Sequence, residues 1–152
     1  MPTKLHDQVH AFHARFDHPS HPAGPPRVPA DDRVRFRLRL IAEEFFETMR
    51  AAFLTSEDGF FDAEARTLAA IESETVAVDL PEFVDGMADL DYVVEGTRLE
   101  FGVDSEPIAD EVQRANMSKG FNKNAAGKTV KPEGWTPPDI AGRLADQGWV
   151  KP

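Results

Sequence analysis

The chain has 152 residues, 41% hydrophobic content and no cysteine, and its 27 acidic side chains outnumber 17 basic ones. This length suits one compact domain, and the composition excludes disulfide frameworks and thiolate chemistry. A formal net charge of -10 argues against sequence-independent nucleic-acid binding, which depends on neutralising phosphates with Lys and Arg. No apolar run approaches the roughly 20 residues of a membrane span, and the N-terminus lacks the apolar core of a signal peptide. We therefore expect a soluble, cytoplasmic protein with no nucleic-acid or membrane partner.

Helical periodicity dominates the chain up to residue 119. Apolar residues at spacings of three and four predict helices over residues 3–16, 32–54, 62–77, 81–101 and 106–119.

The segments between these helices are rich in turn residues. Residues 18–31 contain five prolines and predict a loop, and TSEDGF (55–60) predicts a break. Asp79 or Leu80 precedes Pro81, which suits a first helical turn, and Ser105 is a candidate helix cap. The tail, residues 120–152, is rich in Gly, Pro and Lys and predicts mostly loop. With no alternating strand pattern, we expect a single all-α domain over residues 1–152 with a four-helix-type bundle core.

Three glutamates lie together in LIAEEFFETM, residues 40–49. In a helix, Glu43, Glu44 and Glu47 share one arc, away from an apolar stripe that includes Phe45. An isolated EExxE usually forms a solvated face. Two features favour another interpretation: like charges three and four apart cost stability unless neutralised, and Phe46 and Phe53 lie off the apolar stripe. The helix is therefore expected to be buried on more than one side, in a bundle centre or an oligomer interface.

The helix predicted over 81–101 carries a second acidic stripe, Glu82, Asp85 and Asp89, opposite an apolar stripe of Phe83, Met87, Leu90, Val94 and Phe101. Its two glycines, Gly86 and Gly96, cost about 1 kcal/mol each in a helix, which suggests close approach of another backbone or a ligand. If the two acidic helices pack together, five or six carboxylates converge and require protons or a metal ion. Mg²⁺, with Mn²⁺ as a substitute, is the predicted ion because it prefers oxygen ligands.

The segments EEFFE, DGMADLDYVVEGTRLEFGVD and DEVQRANMSK, in this order, resemble the MazG-like all-α nucleoside triphosphate pyrophosphohydrolases. These enzymes are relatives of phosphoribosyl-ATP pyrophosphohydrolase and of the dimeric all-α dUTPases. The similarity extends from VHAFHARF to GWTPPDI.

In that family, EExxE and a later ExxD bind Mg²⁺, and a nucleoside triphosphate is cleaved to monophosphate and pyrophosphate. The resemblance implies that Glu43, Glu44, Glu47 and Asp89 are metal ligands. Gly86 stands where the ExxD glutamate is expected, which is a departure from the pattern. Asp85 is one candidate replacement; Glu82 with Asp85 also fits ExxD, one turn upstream.

Basic residues cluster after these acidic helices. On composition alone they suit a solvated tail as well as a phosphate site, and the resemblance implies that they close over the nucleotide. Asn116 and Lys119 are the best candidates, and Trp135 or Phe121 could stack on a base, although a packing role is more usual. The expected substrate-binding residues are Arg114, Asn116, Lys119, Lys128 and Lys131.

Other metal sites fit the sequence less well. His6, His10 and His13 share a helix face, which is more often half-exposed surface than a metal site.

The sequence thus predicts a Mg²⁺-dependent nucleotide pyrophosphohydrolase that forms a homodimer or a dimer of dimers, with Glu43 or Glu44 as general base. The alternatives are a phosphoribosyl-ATP pyrophosphohydrolase-like activity, or a non-catalytic helical nucleotide-binding or assembly protein with an incomplete metal site.

Overall fold

A computed structural model of the chain describes residues 3–20, 25–53 and 57–151. These residues form the helices α1 (Lys4–Arg15), α2 (Asp31–Ala52), α3 (Glu57–Ser73), α4 (Leu80–Glu100), α5 (Ser105–Met117) and α6 (Ile140–Asp146). No strand occurs in this described part, which contains only an isolated antiparallel bridge between Lys123 and Thr129. The predicted all-α fold is confirmed. None of these helices combines the length and the apolar character needed to cross a membrane.

The chain divides into two compact units, Pro25–Asp85 and Met1–Gly24 with Gly86–Pro152, so that the boundary falls inside α4. Helices α1, α2, α4 and α5 lie within two residues of their predicted bounds. Helix α3 begins and ends earlier than predicted: Glu57 to Phe60 are helical instead of forming a break. Residues 55 and 56, also predicted in that break, and Leu54, predicted to end the preceding helix, lie outside the described residues.

The predicted cap of α5 is wrong, whereas the tail is mostly loop, as predicted. The cap of α5 is Asp104, whose carboxylate accepts a hydrogen bond from the Glu106 amide at 3.1 Å, and Ser105 is the first helical residue instead. Within this loop-rich tail lies one short helix, α6, whose cap Asp139 accepts a hydrogen bond from the Gly142 amide at 2.9 Å. Both caps are carboxylates that satisfy an amide of the first helical turn.

In the unit Pro25–Asp85, α2 packs against α3. Three arginines of α2 make this contact: Arg35 donates to the Ile71 carbonyl, Arg39 pairs with Glu72, and Arg50 pairs with Glu64 at 2.5 Å. Phe46, which follows Arg39 by seven residues and precedes Arg50 by four, lies on the same side of α2.

Helix α2 is buried at one residue of the predicted stripe, Val34 at 7% exposure, and also off that stripe. Phe46 is only 8% exposed, whereas Phe45, on the predicted core stripe, is 55% exposed. Phe53, which was also expected to be buried, is 54% exposed and contacts the Phe60 ring at 5.7 Å. The physical reason is that α2 carries two apolar stripes, and α3 covers the one that contains Phe46.

In the other unit, α5 packs against α1 and α6. Phe16 and Ala115 are the most buried residues there, at 2% and 1% exposure. Lys4 of α1 pairs with Glu106 at 2.6 Å and with Asp110 at 2.9 Å on α5.

The residues after α5 return to this small core. The Trp135 Nε1–H donates to the Ala115 carbonyl at 2.8 Å, the Phe121 ring lies 5.5 Å from the Phe16 ring, and Lys123 donates to the Asp17 carbonyl at 2.8 Å. The tail is therefore an integral part of this unit.

Helix α4 forms as predicted, but its apolar stripe is not buried. No described residue of α4 is buried, and the exposed fractions of Phe83, Leu90 and Val94 on this stripe are 36%, 44% and 45%. A Cβ atom at Gly86 or Gly96 would meet no described atom within 4 Å beyond the local helix backbone. The close neighbour that these glycines predicted is not supplied by the described residues.

Candidate functional site

The three glutamates of EExxE lie in the C-terminal half of α2. Glu43 is half-buried, whereas Glu44 and Glu47 are exposed. Neither Glu44 nor Glu47 forms an ion pair with a described residue. Thr48 Oγ1 donates a hydrogen bond to the Glu44 carbonyl at 2.9 Å. Two accessible carboxylates three residues apart, with no cation on either, are able to take a hard metal ion.

The acidic residues of α4 are also exposed. Glu82, Asp85 and Asp89 all have accessible side chains, and Asp85 and Asp89 are four apart on one helix. The Glu82 amide donates to Asp79 Oδ1 at 3.4 Å, which identifies Asp79 as the residue that caps α4.

The described residues contain no group of three or more His, Cys, Asp or Glu side chains that could hold a metal ion. The convergence of Glu43, Glu44 and Glu47 with Asp85 and Asp89 therefore stays a prediction. The donor set itself fits Mg²⁺ or Mn²⁺, since it consists entirely of carboxylates.

Arg114, a predicted substrate-binding residue, makes contacts within its own unit. Its Nε and Nη2 donate to Glu111 at 2.7 to 3.0 Å, and Nη2 also donates to the Pro137 carbonyl at 3.1 Å. Glu111 Oε1 additionally accepts from the Asp139 amide at 2.9 Å. The Arg114 guanidinium, followed by the Asp139 amide, lowers the pKa of Glu111 to about 2.

The pair of Glu111 and Arg114 thus fixes the tail and α6 to α5. Sequence reasoning assigned Arg114 to substrate and missed Glu111, although their spacing of three residues on one helix face is a readable signal.

The other predicted substrate-binding residues lie in the same unit. Asn116, Lys119 and Lys128 are half-buried, and the Lys119 ammonium lies 5.9 Å from the centre of the Phe12 ring. Lys131 is exposed and lies 4.7 Å from the centre of the Trp135 ring. Their role in binding substrate stays a prediction.

Trp135 and Phe121 have the packing contacts that were considered the more usual role. Trp135 donates to the Ala115 carbonyl, and Phe121 contacts Phe16 and the Arg15 guanidinium. Stacking on a base is not needed to account for either ring.

Sequence reasoning also missed Arg33 and Arg37, in the N-terminal half of α2. Arg37 is exposed, although burial of part of its side chain and then the like charge of Arg33 lower the pKa of Arg37. The available signal was the spacing of four residues between them, which places two like charges on one face.

Comparison with known proteins identifies the fold and the chemistry together. A family model for phosphoribosyl-ATP pyrophosphohydrolase matches residues 9–116, a range that contains EExxE, Asp85, Asp89 and Asn116. The chain belongs to this family. The phosphoribosyl-ATP pyrophosphohydrolase family is part of the MazG-like all-α superfamily, so the resemblance drawn from the motifs is confirmed. Its members are nucleotide pyrophosphohydrolases, hydrolases that act on phosphoric anhydrides, and this is the enzyme class of the chain. No curated protein matches the chain.

Proposed function

We propose that the chain hydrolyses the bond between the α and β phosphoryl groups of phosphoribosyl-ATP or a closely related nucleoside triphosphate. Water adds its oxygen to phosphorus, the anhydride bond breaks, and the products are a nucleoside monophosphate and pyrophosphate. The observation that carries the proposal is the family match over residues 9–116, because it includes both acidic segments and extends to Asn116.

Glu43, Glu44, Glu47, Asp85 and Asp89 are the proposed ligands of Mg²⁺. When bound, the ion supplies neutralisation of the triphosphate charge and a lowered pKa for a bound water. A carboxylate of α2 accepts the proton of the attacking water, and Glu43 or Glu44 is the candidate for this role. The exposed positions of Glu44 and Glu47 without a cationic partner support the assignment.

Asn116, Lys119, Lys128 and Lys131, with Arg114, are proposed to contact the phosphates. Arg114 donates hydrogen bonds to Glu111 and to the Pro137 carbonyl of the tail, so its contribution to binding includes holding the segment that carries Lys128 and Lys131.

A second copy of this chain is the proposed partner of α4. Apolar side chains exposed along the whole helix support this assignment, since a monomer rarely leaves so long a row in water. Gly86 and Gly96 leave room beside the α4 backbone, which suits close approach of a helix from the second copy.

The direct test is pyrophosphate release from phosphoribosyl-ATP, ATP and a panel of dNTPs, each with and without Mg²⁺ or Mn²⁺. We expect metal-dependent release, fastest with phosphoribosyl-ATP. Gly86, at the position of the ExxD glutamate, favours one alternative, a non-catalytic nucleotide-binding protein. That alternative predicts nucleotide binding without pyrophosphate release from any substrate.

A second measurement does not depend on activity. A ligand that binds only the folded state stabilises it by about 2.7 kcal/mol at 100 times its dissociation constant. We expect Mg²⁺ and Mn²⁺ to raise the melting temperature of the wild type and to have little effect on Glu44→Gln/Glu47→Gln. A wild-type melting temperature that is the same in millimolar Mg²⁺ or Mn²⁺ as in NaCl of equal ionic strength argues against the metal site.

A further inference from the structure

One face of α2 carries two positive charges towards its N-terminus and two negative charges towards its C-terminus. Arg33, Arg37, Glu44 and Glu47 lie within about 80° of one another around the helix, since each residue advances the direction by about 100°. This face, the charged face of α2, points away from the side whose arginines contact α3.

The two arginines of the charged face differ from their neighbours in lacking an acidic partner. Arg35, Arg39 and Arg50 are engaged with α3 through a carbonyl or a carboxylate. Arg33 lies over the Phe36 ring at 4.6 Å, and neither Arg33 nor Arg37 pairs with a carboxylate in the part of this unit that the structure describes. Like charges four residues apart on a helix repel, so an anion between them stabilises the pair.

The spacing along the charged face is also informative. The midpoint of Arg33 and Arg37 lies about three helical turns before the midpoint of Glu44 and Glu47, which is about 16 Å along the axis. Two guanidinium groups side by side suit a phosphate group, which Arg binds through parallel N–H donors. The carboxylates suit a metal-bound triphosphate and repel a phosphate that carries no metal.

Phosphoribosyl-ATP has this arrangement of charges. Its triphosphate lies at one end, a phosphomonoester lies at the other, and two ribose rings and the purine separate them by a distance of the same order as the spacing on α2. We propose that Arg33 and Arg37 bind the phosphomonoester of the phosphoribosyl group while the triphosphate occupies the Glu44 and Glu47 end of the charged face. The two arginines then determine specificity, because an ordinary nucleoside triphosphate has no group to place there.

This inference rests on the proposed function, and the test separates the two. Pyrophosphate release is measured for the wild type, Arg33→Gln/Arg37→Gln and Arg66→Gln with phosphoribosyl-ATP and with ATP. Arg66 is a matched control, because it is an exposed arginine on α3 of the same unit with no ion pair among the described residues. We expect the double variant to raise the KM for phosphoribosyl-ATP by about tenfold to a hundredfold, as for loss of charge-assisted hydrogen bonds. Its kinetics with ATP, and both reactions of Arg66→Gln, are expected to change less than twofold.

A binding measurement without metal keeps the site testable if no hydrolysis is found. Ribose 5-phosphate added to isotopically labelled protein is expected to shift the NMR signals of residues 33–37 in the wild type and not in the double variant, and ribose is expected to shift neither. A wild type that hydrolyses no nucleotide, yet binds ribose 5-phosphate at these residues, contradicts the proposed function alone. Equal losses with phosphoribosyl-ATP and ATP, or an unchanged KM for phosphoribosyl-ATP together with no shift at residues 33–37, overturns the assignment of Arg33 and Arg37.

Discussion

At the scale of single residues, the acidic side chains of α4 separate two possible alignments of the metal site. Asp89→Asn keeps the size of a proposed metal ligand and removes its charge, so hydrolysis is expected to fall by orders of magnitude while the fold survives. Glu47→Gln is expected to behave in the same way. The measurement is kcat/KM for pyrophosphate release, with circular dichroism as the check on folding.

Asp85 decides the alignment because its direction on α4 differs from that of Asp89 by about 40°. If Asp85 replaces the glutamate missing at Gly86, then Asp85→Asn weakens metal binding nearly as much as Asp89→Asn. If Glu82→Gln and Asp85→Asn both abolish hydrolysis while Asp89→Asn keeps it, the acidic pair is Glu82 and Asp85, one turn upstream. Hydrolysis that survives all of these substitutions shows that the carboxylates are not the active site.

The pair of Glu111 and Arg114 predicts a dependence of stability on pH. The folded-state pKa of Glu111, about 2, lies below its ordinary value of 4.5. Its contribution to stability is therefore fully present above about pH 4.5 and is lost as the pH falls towards 2. We expect the difference in melting temperature between wild type and Glu111→Gln to be largest near neutral pH and to shrink through this window.

Glu133→Gln is the control for this experiment, since Glu133 is exposed and has no ion pair among the described residues. The melting temperature of Glu133→Gln is expected to differ little from that of the wild type at every pH. If the difference in melting temperature between wild type and Glu111→Gln stays constant from neutral pH to pH 2, the carboxylate charge does not have the proposed role.

At the scale of the helices, the two adjacent phenylalanines of α2 test which side faces α3. Phe46→Ala removes a buried ring and is expected to lower the free energy of unfolding by about 3 kcal/mol or more. Phe45 is 55% exposed, so Phe45→Ala is expected to cost far less in a protein diluted to the monomer. Urea unfolding at two protein concentrations measures both. A larger loss for Phe45→Ala in the dilute sample means that the predicted stripe, and not the Phe46 side, faces α3.

The helices themselves were largely predictable, because regular apolar spacing and turn residues are local properties of the sequence. The rotation of α2 was not, since Phe45 and Phe46 lie on two different apolar stripes and periodicity does not say which one a neighbour covers. Helix α6 has only seven residues, too few to show a period. Asp104 and Ser105 are adjacent and both residue types cap helices, so the sequence left that choice open.

The candidate site was predictable in part for the same reason. Helix geometry places Glu44 beside Glu47, and Asp85 beside Asp89, from their spacing alone. How α2 and α4 are arranged relative to one another depends on long-range packing, which residue spacing does not encode. The contact between Arg114 and the tail also joins residues more than twenty positions apart, so no local sequence pattern predicts it.

At the scale of the whole molecule, the exposed apolar length of α4 predicts self-association. We expect sedimentation at micromolar concentration to show a dimer or a dimer of dimers. Leu90→Glu places a charge on the apolar stripe of α4 and is expected to shift the equilibrium towards monomer by at least tenfold. Glu100→Gln, at the end of the same helix, is the control and is expected to leave association unchanged. A wild type that is monomeric at these concentrations rules out the second copy as the partner of α4.

The hydrogen bond from Trp135 to the Ala115 carbonyl has a practical consequence for where this protein can be cut. The family match ends at residue 116, yet the most buried residue of α5 has its carbonyl satisfied by a side chain nineteen positions beyond that end. The match also begins at Val9, after Lys4, which pairs with α5. A recombinant fragment trimmed to the matched range loses both contacts together with the ring that covers Phe16. The range matched by the family therefore contains the shared acidic segments, whereas the folded unit extends beyond this range at both ends.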